Sequence, residues 1–451
     1  MSRSSQQPGP GNLPPRIVAS TPGRVSRSLS ERLAGVESRN VTYRSPELPI
    51  FWNRARGSNV WDPDGNRYVD LTAGFGVAAA GHGNRRVVTA LRRQLGRQLH
   101  GLGDVHPPVA KLKLLEILAE LSPWDETRTI LGSSGSEAVE AAVKTARLAT
   151  GNPGVLAFAG AYHGLTAGAL ALTDRAHFRA PFADQLNPHV VRAPFPAGPE
   201  ADAPGALTAV DAALDTPEGG RVGAIIVEPI LGRGGIVEPP AGFLPGLAER
   251  CRKRGLLLIF DEIYTGCGRT GDWFALEREG VTPDLLCLGK GMSGALPIAA
   301  CLGPPEVMDA WPPSEGEAIH TSTFLGNPMA CAGARASLLE IRRRGLPARA
   351  ASLGAAWREA LCGLADRHPA VRGVRGRGLM LGLELVDPLS GRPDAELAGR
   401  LVRGALARGW LVLADGADSN ILALTPPLTI EPHLLERATE MLDDLLAELL
   451  A

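Results

Sequence analysis

The stretch GLLLIFDE, Gly255 to Glu262, sets an unbroken apolar run between a glycine and two carboxylates. A run this short, continuous rather than alternating, is the pattern of a parallel strand buried on both faces. Two more runs of the same kind flank it: GAIIVEP, Gly223 to Pro229, and DLLCLGK, Asp284 to Lys290. Each ends in a charged residue, so Glu228, Asp261 and Lys290 fall at spacings of 33 and 29, close to one strand-crossover-strand unit. The spacing predicts an α/β fold with a doubly wound, mostly parallel sheet and the three charges at its carboxyl edge, where such sheets bind ligands. The alternative is three strand ends that merely meet water.

Outward from these runs, helical and strand patterns alternate after Gly81: VVTALRRQLGRQL, KLKLLEILAELS, SEAVEAAVKTARLATG, VLAFAG. Ahead of them, NVWDPDGNRYVDL predicts a hairpin around a DPDG turn. Beyond Gly333 a long helical pattern leads to GLMLGLELVD, ELAGRLVRGALARG, WLVLAD and an amphipathic helix from about Leu434. The chain therefore divides into a mobile tail over residues 1–28, a segment over 29–80 belonging to a smaller domain, a large domain over 81–332, and a C-terminal part over 333–451 that completes the smaller α/β domain.

Composition narrows the function. Lys plus Arg (47) and Asp plus Glu (48) leave a net charge of −1, with no basic footprint for nucleic acid or an anionic membrane. No apolar run approaches the roughly 18 residues of a membrane span, and the first 28 residues lack the apolar middle of a secretory signal. Six cysteines lie 14 to 31 residues apart without a CxxC pair, which reads as reduced thiols in a soluble cytoplasmic protein. The nucleotide loop GxxxxGK[ST] and the HExxH helix are both missing, and the histidines show no metal spacing. A small-molecule partner and no metal are expected.

Lys290 stands between Gly289 and Gly291, as though something approaches it closely. A second element is SSGSEAVEAAVKTAR: Ser134 to Ser136 precede a helix with apolar Val139, Ala142, Val143 and Ala146, and Ser134 with Glu137 fits a capping box. Such a turn offers bare N–H groups and a positive dipole end to a phosphate, although an ordinary helix cap has the same appearance. A lysine nucleophile, a carboxylate and a phosphate cradle together match the needs of pyridoxal phosphate.

The chain resembles the class III aminotransferases, the fold-type I group of pyridoxal phosphate enzymes that includes acetylornithine, ornithine, 4-aminobutyrate and other ω-amino acid transaminases. The matching pieces are GSSGSEAVEAAVKTAR, AYHG, VEPI, LIFDEIYTGCGRTG, PDLLCLGKGMSGALP, HTSTFLGNPMACAGA, RGRGLMLGLEL and PPLTIE, in family order from about Pro49 onward. The resemblance implies that Lys290 forms the Schiff base and serves as the base once freed, the flanking glycines admitting cofactor and substrate. It implies that Asp261 pairs with the pyridine nitrogen and that Tyr162 stacks on the ring. Ser134, Gly135, Ser136, His163, Glu228 and Tyr264 complete the cofactor-binding set, with Tyr264 in place of a glutamine that contacts the ring oxygen. Thr323 would reach the phosphate from a neighbouring subunit, which makes the protein a homodimer with its active sites at the interface.

The implied activity moves an amino group between an amine or ω-amino substrate and a 2-oxo acid, by a ping-pong cycle through pyridoxamine phosphate. The alternatives are an aminomutase or amino-acid racemase on the same fold, and a binding protein that kept the fold without the chemistry. Two carboxylate-binding arginines of the ornithine and acetylornithine enzymes are replaced by Leu165 and Ala423. Arg233, where those relatives carry a glutamate, is either a substitute carboxylate ligand or a surface arginine on a glycine-rich loop. Trp52 and Phe75 are candidate pocket residues, with core packing as the alternative.

Overall fold

The three apolar runs form strands and lie side by side. The computed structural model describes residues 11–198 and 200–451. Its central sheet is seven-stranded, in the order Arg128–Gly132, Ala299–Gly303, Leu285–Leu288, Leu257–Asp261, Val222–Val227, Gly154–Phe158, Val190–Ala193. Leu257–Asp261 pairs in parallel with both Val222–Val227 and Leu285–Leu288, and Ala299–Gly303 alone opposes its neighbours. The absence of alternation in these runs has a direct cause. Ile225, Val227, Phe260 and Leu286 face one core cluster, while Ala224, Ile226, Ile259 and Cys287 face another on the opposite side of the sheet. Both faces are covered, so both sets of side chains must be apolar.

Helix Gly135–Thr150 starts at Ser134, whose Oγ accepts from the Glu137 N–H at 3.3 Å, and stops at Gly151 in the left-handed region (φ 73°). The Glu137 carboxylate reaches back to the Ser133 N–H at 2.6 Å, so the reciprocal arm of the expected capping box lands one residue early. The buried face, Ala138, Ala141, Ala142 and Ala146 around Val139, is small and sets the helix close over the sheet.

The smaller part draws on both ends of the chain. The hairpin Asn59–Trp61 with Arg67–Asp70 is extended by Arg54–Arg56 on one edge and, in parallel, by Trp410–Leu411 on the other. A second, antiparallel sheet runs Val371–Arg377, Met380–Leu385, Ile421–Leu424, Leu413–Asp415. The run WLVLAD is thus divided between two sheets across the buried Val412, which brings Asp415 towards the large domain.

The tail expected over residues 1–28 is corrected where the structure describes it. Leu13 N–H donates to Asn59 Oδ1 at 2.8 Å, and Arg16 exchanges backbone bonds of 2.9 and 2.8 Å with Arg67. Asp64, from the DPDG turn, accepts from the Val25 and Ser26 N–H groups at 2.7 and 2.9 Å and so anchors helix Arg24–Ala34. The polar composition that suggested mobility supplies partners to the hairpin instead. Residues 1–10 of that expectation lie outside the described residues. Among the described residues no helix is long and apolar enough to cross a membrane, and all six cysteines are free thiols.

Candidate active site

The carboxyl edge of the sheet gathers the three charged strand ends. Asp261 closes its strand, Glu228 follows Val227 directly, and Lys290 lies two residues past Leu288. All three line one cavity of about 180 Å³ together with Gly135, Ser136 and His163. An adjoining cavity of about 240 Å³ shares Tyr162, Arg233, Tyr264 and Lys290 with it and extends to Phe75 and Asp415.

Asp261 is held on both oxygens. Its Oδ2 lies 2.8 Å from His163 Nδ1, and its Oδ1 accepts from the Ile263 N–H at 3.1 Å. Both side chains are buried, and among the described residues His163 Nε2 has no hydrogen-bond partner. Glu228 is turned onto the backbone, accepting from the Tyr162 and Gly232 N–H groups at 2.9 Å each. It thereby ties the AYHG loop to the VEPILGR loop. Burial raises its carboxyl to about 7, against the opposing pull of His163.

Lys290 has φ 35°, a left-handed conformation that ordinary residues seldom adopt and that is found where function holds the backbone. Burial lowers its amine to about 8, while Glu228 and Asp261 push it up and Arg233 pushes it down. Its Nζ sits 3.6 Å from the centroid of the Tyr264 ring. The glycines beside it have another purpose than the expected one. A Cβ on Gly289 would meet Ile263 Cγ2 at 3.1 Å, and one on Gly291 would meet Ala79 and Cys267 Cβ at 3.2 Å. Protein, rather than cofactor or substrate, occupies the space that these glycines leave.

At the head of helix Gly135–Thr150, Ser136 Oγ accepts from the Leu165 N–H at 3.3 Å. The loops are closed so tightly that a Cβ on Gly164 (φ 123°) would fall 2.0 Å from Ser136 Oγ. A helix N-terminus, a carboxylate oriented by a buried histidine and a lysine of lowered pKa therefore open on one space, and this donor set fits pyridoxal phosphate.

The remaining expected residues separate. Tyr162 lines both cavities, with the Arg233 guanidinium 5.2 Å from its ring centroid. Tyr264 also lines both, but its hydroxyl lies 3.1 Å from Thr425 Oγ1 and is engaged there. Phe75 walls the larger cavity, whereas Trp52 lies outside both and meets His82 edge-on at 5.6 Å. Thr323 stands on an exposed loop away from either cavity. Leu165 is half-exposed, and Ala423 walls the larger cavity without charge. Arg233 is a wall residue whose Nε lies 3.3 Å from Asp415 Oδ1. Sequence reading overlooked Arg175, Asp415 and Thr425. Asp415 had a signal, since it ends an apolar run as Asp261 does; Arg175 had none.

The profile of the family "Aminotransferase class-III" matches residues 41–446. The chain is 37% identical to the 4-aminobutyrate aminotransferase of Mycobacterium leprae, over 96% of this chain and 98% of that one. It is 40% identical to the acetylornithine aminotransferase of Corynebacterium efficiens, over 90% and 94%. Its fold superimposes on an amine transaminase from an uncultivated Pseudomonas species in the PLP-bound form, with TM-score 0.83, 30% identity, and coverage of 91% and 98%. The cavity at the sheet edge and these relatives agree: the chain belongs to the class III aminotransferases, the fold-type I enzymes that transfer amino groups with pyridoxal phosphate.

Proposed function

We propose that Lys290 is the covalent anchor of the cofactor and the base of the transfer, and that Asp261, oriented by His163, faces the pyridine nitrogen. The observation that carries this reading is the opening of Lys290, Asp261 and the helix N-terminus on one cavity. Bound there, the cofactor supplies an electron sink for breaking a bond at the carbon that bears the amine. Lys290 Nζ holds the proton removed from that carbon, and an amine whose pKa lies at about 8 can be neutral at working pH. Gly135 and Ser136 present their N–H groups to the phosphate, Ser134 fixes the helix turn behind them, and Tyr162 covers the ring. Glu228 holds the two loops, and Tyr264 packs beneath Lys290 Nζ.

The acting unit in this reading is a homodimer. Exposed Leu99, Leu102, Val105, Val109 and Phe324 form apolar surface on segments that touch each other, since Asn327 Nδ2 donates to Leu99 O at 3.2 Å and the His100 and Phe324 rings lie 5.4 Å apart. Covering this surface with a second copy would bring the Thr323 loop to the partner's phosphate site. The two small sheets support a division of the chain near residues 80 and 333, and the free thiols fit the reducing cytoplasm.

The test is a half-reaction. Holoenzyme given an ω-amino acid alone should release about one product per active site and stop, then turn over when a 2-oxo acid is added. Continuous turnover without the acceptor would identify an aminomutase or racemase, and no product under either condition would overturn the assignment of Lys290.

A further inference from the structure

At the larger cavity, three charged side chains from separate elements converge. Arg233 comes from the loop after Glu228, Asp415 ends strand Leu413–Asp415, and Arg175 follows helix Ala167–Leu172. Asp415 Oδ1 is shared: Arg233 Nε lies 3.3 Å from it and Arg175 Nη2 lies 3.2 Å from it. Arg175 Nη2 also bonds Arg233 O at 2.8 Å, and it bonds Gly416 O. Two guanidinium groups on one carboxylate leave one positive charge in excess. Among the described residues, Arg233 uses only its Nε in these bonds, and its Nη1 and Nη2 make no hydrogen bond. The same cavity is lined by Lys290 and by apolar Phe75, Leu413 and Ala423, with Arg233 and Asp415 in the wall.

We propose that Arg175, Asp415 and Arg233 form a net-cationic triad that binds the carboxylate at the end of the substrate remote from the reacting amine. In it, Arg175 is a positioning residue. It neutralises Asp415 and fixes the backbone of Arg233, so that the Nη fork of Arg233 keeps an uncompensated charge for a two-point contact. Without Arg175, Asp415 alone would neutralise Arg233. The apolar wall accepts a short methylene chain, so the substrate class is the unbranched ω-amino acid, and a 2-oxo diacid on the return half. The inference rests on the aminotransferase reading above, and side-chain exposures of 21% for Arg175 and 30% for Arg233 leave the fork accessible from the cavity.

The test compares an ω-amino acid with the primary amine of equal chain length as donors to holoenzyme, together with calorimetric binding of butanoate, which cannot react. Arg175→Gln should lower the ratio of kcat/KM for the amino acid to that for the amine by about tenfold to a hundredfold, through KM, and should weaken butanoate binding in step. Arg175→Lys keeps the charge and should return the ratio to within about threefold of wild type. Asp415→Asn removes the compensating charge and should hold or raise the ratio. A merely structural latch predicts otherwise: all three variants would depress both donors alike. That result, or a ratio that falls as far in Asp415→Asn as in Arg175→Gln, would overturn the triad while the amine half-reaction still supported the aminotransferase reading. If Arg175→Gln does not fold, Arg175→Lys and Asp415→Asn decide the matter: the triad keeps turnover of the amino acid at or near the wild-type level in both, whereas a latch depresses both donors in each.

Discussion

The two walls of the active-site cavity differ in how their charges are satisfied. On the sheet side, Asp261 and Glu228 are buried, and their oxygens are bonded to a histidine and to backbone N–H groups at 2.8 to 3.1 Å. Their places follow from strand register: Asp261 pairs across the sheet with Cys287, three residues before Lys290. On the other side, Arg175, Arg233 and Asp415 come from loops and a three-residue strand, remain partly exposed, and carry a surplus positive charge. In the proposed reading, chemistry that must recur unchanged sits on the sheet edge, while recognition of the variable end of the substrate sits on segments that can alter without disturbing it.

The sharpest way to break this comparison is Lys290→Ala. Activity should fall by at least about 10³-fold, because covalent attachment and proton transfer are lost together. The fold should persist, since Lys290 ends in a cavity and supports no core cluster. Retention of activity within tenfold of wild type, with an unchanged melting curve, would mean that the reacting end lies elsewhere.

Asp261→Asn probes the same wall with a smaller effect. The amide keeps the shape but loses the charge, and a hydrogen bond to a charged group contributes about 1.5–3 kcal/mol. Cofactor retention after dialysis should weaken by about tenfold to a hundredfold. Equal retention by the variant and the wild type would remove Asp261 from the cofactor's ring nitrogen.

The sheet wall was legible in the sequence because its determinants are local. An apolar run that ends in a charge at a strand's carboxyl end is visible in eight residues, and the register that aligns three such ends follows from parallel pairing. His163 was legible only as a member of AYHG; its bond to Asp261, 98 residues away, depends on how the loop closes over the strand. Arg175 meets Asp415 across 240 residues, and no local pattern encodes that approach. The glycines beside Lys290 misled for a related reason. Sequence identifies a missing side chain but not which neighbour fills the space, and here Ile263, Ala79 and Cys267 fill it.

A third prediction tests the rigidity of the sheet side. Gly164→Ala places a Cβ against Ser136 Oγ in a backbone conformation with φ 123°, so steric clash and backbone strain combine. Stability should fall by about 1–3 kcal/mol, with a lower melting temperature. An unchanged melting temperature would show that the loop over the helix N-terminus can relax, and the contrast between rigid and adaptable walls would weaken.

The smallest expected effect concerns Tyr264, which touches both walls. Its ring faces Lys290 Nζ at 3.6 Å while its hydroxyl is engaged with Thr425. In Tyr264→Phe the ring remains and one neutral hydrogen bond of about 0.5–1.5 kcal/mol is lost. In Tyr264→Leu the ring is lost as well, and with it a cation–π attraction of about 0.5–2 kcal/mol that favours the protonated amine. The sign follows directly: removing a stabiliser of the charged form lowers the pKa of an amine. The pH dependence of Lys290 acetylation in cofactor-free protein, read by mass spectrometry, should be half-maximal at about 8 in the wild type. The phenylalanine variant should keep that midpoint, and the leucine variant should fall below it by about 0.4 to 1.5 pH units. If both variants shift equally, the hydroxyl rather than the ring governs the lysine, and Tyr264 acts through Thr425 and the far wall instead of beneath the amine.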